Sequence, residues 1–173
     1  MKIAIGADHA GFELKEKIKQ HLAAQGLTVT DAGTNSAESV DYPDYARVVG
    51  EKVVTGRADY GVLVCGTGIG MCMAANKVAG IRAAHVSTES EAILSREHND
   101  ANVLALGARV LHEGGALKIV DRWLATGFLG GRHARRVEKI MAIENSVFSR
   151  QSSVVSHQQS QRDESAGVSK ANP

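Results

Sequence analysis

The stretch "DYGVLVCGTGIG", Asp59–Gly70, runs from an apolar segment into a cysteine and then three glycines in five residues. Its apolar part is short, valine-rich and bounded by turn-forming residues, as a buried strand is. Gly66, Gly68 and Gly70 stop that strand, and the residues beyond them return to helical composition, so the stretch reads as one strand–turn–helix unit. The same alternation extends along the chain in both directions, which is the pattern of βαβ units on a parallel sheet. The spacing predicts strands at Lys2–Gly6, Leu27–Asp31, Asp59–Cys65, Ile81–His85 and Asn102–Leu106. Phe12, Leu14, Ile18 and Leu22 recur at helical spacing and stop before Gly26, a natural helix end. Further helices are expected at Tyr45–Val54 after Pro43, at Met71–Lys77 and at about Thr88–Glu97, the last capped by Ser87 or Thr88 with Glu89 or Glu91 nearby. The fifth and sixth fall at Gly115–Ala125 and about Arg132–Asn145. The fold class is α/β on a five-stranded parallel sheet.

The chain has 173 residues, 43% of them apolar, enough to bury one core in one domain. With 20 basic and 19 acidic side chains the net charge is +1, so nothing global draws it to nucleic acid or an anionic membrane. The apolar run before Asp8 is too short for a signal peptide, and no stretch of about 20 apolar residues appears, which points to the cytoplasm. Cys65 and Cys72 share one loop-and-helix segment, which suits neither a disulfide framework nor a four-ligand zinc site. Both are expected as free thiols. Beyond Asn145 the composition turns Ser- and Gln-rich, dividing the chain into a domain at 1–145 and a flexible tail at 146–173.

Ligands of a parallel α/β sheet bind outside the carboxyl ends of its strands. Strand one delivers Asp8 and His9 there, strand three delivers Cys65–Gly70, strand four leads to His85 and Ser87, and strand five to Gly107 and Arg109. The fourth helix ends in His98-Asn99-Asp100, and these clusters are expected to share one crevice. Glycines let successive backbone N–H groups converge at a helix N-terminus into an anion nest. The loop is neither a dinucleotide fingerprint, since Met71 stands where the third glycine would fall, nor a Walker A loop. A tight turn alone would also explain it. Cys65 is either a small buried hydrophobe or, at a helix N-terminus that favours thiolate, a base or nucleophile. Cys72 is expected to pack against the sheet. His98-Asn99-Asp100 suits a polar helix end with Asn99 as left-handed cap as well as a catalytic cluster, and Asp8-His9 suits a turn and N-cap. In "GGRHARRVEK", Gly130–Lys139, Arg132 and Arg136 share a helix face and Arg135 points elsewhere. Cations in a first turn oppose the helix dipole, an arrangement that a bound phosphate would compensate; a solvated basic patch is the alternative.

Five stretches in order, "GADHAGFELK", "DYPDYA", "CGTGIGMCMAANKVAGIRAA", "SREHNDANVLALGAR" and "GGRHARRVEKI", closely resemble the type B ribose-5-phosphate isomerase family, within a larger group that includes galactose-6-phosphate and allose-6-phosphate isomerases. The resemblance covers about Met1 to Glu144. It implies a Rossmann-like three-layer αβα sandwich and an aldose–ketose isomerase of the pentose phosphate pathway that uses no cofactor and no metal. It implies a homodimer or dimer of dimers with active sites between subunits, acting on a phosphorylated sugar. By the same resemblance Cys65 is the base that moves a proton between C1 and C2, and His98, helped by Asp8 or Thr67, opens the sugar ring. Gly66, Gly68, Ile69 and Gly70, with Asn99, form the enediolate hole, while His9, Arg109, Arg132 and Arg136 contact phosphate. In some relatives a glutamate one turn after the loop is the base; near Met71 this chain has no acidic residue, which fits the cysteine version. A cysteine hydrolase built on Cys65, His98 and Asp8, a hexose-6-phosphate isomerase and a non-catalytic sugar-phosphate-binding module are the competing readings.

Overall fold

A computed structural model describes residues 1–144 and 146. Its strands are β1 (Lys2–Ala7), β2 (Thr28–Asp31), β3 (Tyr60–Cys65), β4 (Ala83–His85) and β5 (Val103–Gly107). They alternate with α1 (Phe12–Ala24), α2 (Tyr42–Val54), α3 (Ile69–Ala75), α4 (Glu89–Asn99) and α5 (Glu113–Ala125). Residues 132–144 are also helical. The chain divides into two compact units, Met1–Ala134 and one that begins at Arg135; the sheet and all five named helices belong to the first.

All strand pairs are parallel, in the order β2-β1-β3-β5-β4. Successive strand side chains point to opposite faces, and this alternation builds the layers. Ile3, Ile5, Val62, Val64, Leu104 and Leu106 face one side, under Leu14, Ile18 and Leu22 of α1 and Ile119, Val120 and Trp123 of α5. Ala4, Leu63, Cys65, Val103 and Ala105 face the other, under Val49 of α2 and Met71 and Ala75 of α3. The result is the expected three-layer αβα sandwich. Among the described residues no helix is long and apolar enough to cross a membrane.

Several helix boundaries differ from the expected ones for local reasons. α2 starts at Tyr42, ahead of Pro43, because proline in a first turn gives up an N–H that has no helical partner anyway. α3 starts at Ile69, directly after Gly68 at φ 80°. Thr88 is the N-cap of α4: its hydroxyl accepts the Glu91 N–H at 3.2 Å, while the Glu91 carboxylate accepts the N–H groups of Ser87 at 2.7 Å and Thr88 at 3.1 Å. Those backbone donors, Ser87 first, hold the Glu91 carboxyl below its ordinary pKa. The left-handed residue that ends α4 is Asp100 at φ 45°, not Asn99. Arg82 and Arg96 explain the change, since they grip the two carboxylate oxygens of Asp100 at 2.8 Å and 3.2 Å. Apart from residue 146, the tail lies outside the described residues.

Two charged side chains are buried in the sandwich. Arg96, 5% exposed, stacks on Tyr60 at 4.5 Å and donates to the Tyr60 hydroxyl, to Asp100 and to the carbonyls of Ala101 and Thr126. Lys15, 1% exposed, donates to the Asp31 carboxylate at 2.7 Å and the Thr34 carbonyl at 2.8 Å, tying α1 to the loop that leaves β2. Burial alone would raise the Asp31 pKa, but hydrogen bonds from Lys15, Lys19 and the Gly33 N–H outweigh it and hold the carboxyl below its ordinary value. A carboxyl so depressed stabilises the fold above the ordinary carboxylate range, and that contribution fades as pH falls through the folded-state value. Asp31→Asn should therefore cost about 1–3 kcal/mol near neutral pH, because it strips a buried ammonium of a partner. In denaturant titrations the gap to wild type should shrink below about pH 4. A gap that stays constant from neutral to acid pH would contradict this account.

Candidate active site

The crossovers from β1 and from β3 leave in opposite directions, because β1 is followed by β2 on one side while β3 lies on the other. A sheet of this kind opens its ligand crevice at such a switch point, outside the carboxyl ends of the strands. Here β1 supplies Asp8 and His9, and β3 supplies Cys65 and the glycine loop. Asp8 is 6% exposed and its carboxylate accepts the Gly11 N–H at 2.9 Å, so the expected turn is present, although Gly11 holds the N-cap position. His9 Nδ1 accepts the Val40 N–H at 3.3 Å, which ties the ring to the segment entering α2.

Cys65 ends β3 and is 5% exposed. Its Sγ accepts the Gly68 N–H at 3.1 Å. The loop turns back on its own strand's thiol, as only a left-handed Gly68 permits here. A Cβ at Gly68 would lie 2.7 Å from the His85 ring and 2.9 Å from the Leu106 carbonyl carbon. The Thr67 hydroxyl accepts the Ile69 N–H at 3.4 Å. Arg109 donates its N–H to the Gly66 carbonyl at 2.9 Å, and its side chain lies over the Gly66 Cα. The Tyr42 ring covers Gly70. Cys72 behaves differently from Cys65. It packs against the sheet with its Sγ 3.3 Å from the Ala83 carbonyl, and burial pushes its thiol above the ordinary pKa.

His98 and Asn99 lie elsewhere. α4 runs back along the sheet, and Asp100 to Asn102 join the starts of three strands: Asn102 accepts the Gly61 N–H through its backbone oxygen and donates its own N–H to Arg82. The expected single crevice is therefore not formed within one chain. Asp8, His9, Cys65–Gly70 and Arg109 occupy the carboxyl edge of the sheet, whereas His98 and Asn99 occupy the amino edge. A strand rises about 3.3 Å per residue, so β5 alone keeps the two edges roughly 13 Å apart. At the amino edge the His98 ring stacks on buried His133, centroids 4.2 Å apart and planes 1° from parallel, and Arg132 Nε lies 3.4 Å from His133 Nε2. Arg136 is exposed and belongs to the second unit.

Sequence reasoning did not single out His133, Tyr42 or His85 as partners of the candidate residues. The first two stand inside quoted motifs, one position from Arg132 and from Pro43, so their position was a usable signal. The His85 contact needs the fold. Among the described residues no group of three or more His, Cys, Asp and Glu side chains could hold a metal ion.

Residues 3–140 match the family model for ribose/galactose isomerases. The chain is 54% identical over 143 residues to ribose-5-phosphate isomerase B of Escherichia coli, covering 83% of this chain and 96% of that relative. The solved structure of Clostridium thermocellum ribose-5-phosphate isomerase B matches with a TM-score of 0.84 at 54% identity, covering 85% of this chain and 99% of the other. That of Mycoplasma genitalium ribose-5-phosphate isomerase B with bound ribulose 5-phosphate matches with a TM-score of 0.80 at 46% identity, covering 83% and 96%.

The loop geometry separates two glycines that look alike in sequence. Gly68→Ala places a side chain at φ 80° against backbone atoms of β5 and should cost about 2 kcal/mol or more. Gly70→Ala meets only the far end of the Tyr42 ring, which can swing away, and should cost less than about 1 kcal/mol. Equal losses in urea titrations would show that the turn is not constrained in this way.

Proposed function

The chain belongs to the ribose/galactose isomerase family, and on that premise we propose that it interconverts ribose 5-phosphate and ribulose 5-phosphate in the cytoplasm, with no cofactor. Residues 1–145 are the isomerase domain in this reading. The observation that carries the mechanism is the buried Cys65 sulfur at the switch point, accepting the Gly68 N–H at 3.1 Å. As thiolate, Cys65 takes the proton from C2 of the open-chain aldose. The electrons move toward the C1 carbonyl and leave a cis-enediolate. The same sulfur returns the proton at C1 while the hydroxyl proton passes from O2 to O1, so the product is the isomeric ketose. One group serves both directions because it alternates between base and acid.

The charge that develops on the enediolate needs fixed donors, each contributing about 3–4 kcal/mol to the transition state. The loop Gly66 to Gly70, including Ile69, offers backbone N–H groups on the thiol side, apart from that of Gly68, which Cys65 Sγ already accepts, and the Asn99 amide offers a side-chain donor. His98, with Asp8 or Thr67, opens the furanose by moving a proton between the ring oxygen and the anomeric hydroxyl. His9, Arg109 and Arg132 hold the phosphate, where guanidinium forks match its oxygens.

Because His98, Asn99 and Arg132 lie at the amino edge, we assign them to the site of a second copy of the chain. The working form is then a homodimer, or a dimer of dimers, in which each site combines the carboxyl edge of one subunit with the amino edge of its partner. Exposed apolar side chains beside the loop support this assignment. Ile69 and Met73 stand one turn apart on α3 at 47% and 64% exposure, apolar surface suited to an interface.

Steady-state kinetics with ribose 5-phosphate, allose 6-phosphate and galactose 6-phosphate test the substrate. Ribose 5-phosphate should give the highest kcat/KM, and a tenfold preference for either hexose phosphate would overturn the assignment. Absence of turnover on all three would favour a binding module. Cys65→Ala should lower kcat by about 10²-fold or more while affinity for a non-isomerisable phosphate analogue stays near wild type. Retention of more than roughly a tenth of wild-type kcat would remove Cys65 from the role of base.

A further inference from the structure

His85 closes the edge strand β4, and its exposed ring has no part in the chemistry described above. The ring lies against the glycine loop. Its Nε2 is 2.9 Å from the backbone oxygen of Thr67, and because that oxygen only accepts, Nε2 carries the hydrogen. The Thr67 oxygen and the Gly68 nitrogen belong to one peptide group. At the far end of that group the Gly68 N–H points at Cys65 Sγ, 3.1 Å away. A peptide unit is planar and resists twisting, so its oxygen and its N–H cannot be aimed independently. A hydrogen bond at the oxygen also polarises the amide and strengthens the N–H as a donor. The peptide is wedged as well as bonded. The His85 ring occupies the space that a Cβ on Gly68 would need, and on the other side the Gly107 Cα approaches so closely that a Cβ there would fall 2.6 Å from the Thr67 oxygen.

From this relay we infer that His85 is a positioning residue for Cys65: it holds the peptide between Thr67 and Gly68 so that the Gly68 N–H stabilises the thiolate. The inference rests on the reading of Cys65 as the base, but it concerns the reactivity of the thiol itself, which can be measured without turnover. The charged and titratable groups around the relay are Glu91, whose negative charge senses His85, and Cys72, which accepts the His85 backbone N–H. Arg109 lies over Gly66, and Asp8 is tied to Gly11, where an added Cβ would fall 2.3 Å from the Val64 oxygen and 3.0 Å from the Cys65 nitrogen. The Nε2–H is a donor in the neutral ring and in the imidazolium alike.

Two variants separate the hydrogen bond from the ring. His85→Phe keeps an aromatic ring and removes the donor; His85→Gln removes the ring and keeps an N–H donor at a similar reach. The probe is iodoacetamide, with modification at Cys65 followed by site-resolved mass spectrometry so that Cys72 does not contribute. At about pH 7 His85→Phe should alkylate Cys65 at least about threefold more slowly than wild type, and above about pH 10 at the same rate, since only the thiolate reacts. The kcat for ribose 5-phosphate should fall by a similar factor with KM within about twofold, the pattern expected when only transition-state stabilisation is lost. His85→Gln should stay near wild type in both. A wild-type alkylation rate in His85→Phe, or a rate in His85→Gln as slow as in His85→Phe, would overturn the inference. Slowed alkylation with unchanged kcat would uphold the relay and instead refute Cys65 as the base.

Discussion

Every strand of this sheet begins at the same edge, so every helix between strands must carry the chain back across it. That constraint of a parallel sheet decides where each functional side chain can stand. Residues that follow a strand directly, such as Asp8, His9, Cys65 and Arg109, gather at the carboxyl edge. Residues that close a helix, such as His98 and Asn99, are returned to the amino edge. The strand order β2-β1-β3-β5-β4 then places the switch point between β1 and β3, beside Cys65. The division of the candidate residues between two edges is thus a property of the topology and does not depend on any loop conformation.

At the carboxyl edge, backbone does most of the positioning. The thiol is aimed by a peptide N–H, that peptide is held by a ring from β4, and the loop is locked where Gly68 and Gly107 bring backbones closer than a Cβ permits. At the amino edge, buried side chains do it. Asp100 adopts a left-handed conformation while gripped by Arg82 and Arg96, and Arg96 is seated on Tyr60 within the core. This fixes the end of α4, and with it the ring of His98 against His133. The two halves of the candidate site therefore have different vulnerabilities, added volume in the loop and lost charge at the helix end.

Much of this was legible in the sequence. The short apolar runs located all five strands within two residues of their observed starts, and the parallel α/β class followed from their alternation with helices. Thr88 was readable as a cap because the matching Glu91 stands three residues on. The start of α2 was misplaced because Pro43 reads as a boundary when it lies inside the first turn. Asn99 was expected as the left-handed residue on intrinsic preference, and Asp100 took the position because two arginines distant in sequence hold it there. That the clusters do not meet within one chain has the same kind of cause. Motifs give the chemical identity of residues, but strand direction and helix return decide which edge they reach.

The central claim is that neither edge is sufficient and that two copies of the chain complete each site. It can be tested by mixing two inactive variants, Cys65→Ala and His98→Asn, under conditions that allow subunits to exchange. In a mixed dimer one site would combine an intact Cys65 with an intact His98 and the other would carry both defects. Random pairing makes half of the dimers mixed, so an equimolar sample should recover about a quarter of wild-type activity. Recovery near that level, appearing only after exchange, is the result the account predicts. If mass spectrometry shows that mixed dimers have formed and activity stays at the level of the separate variants, the shared site is contradicted.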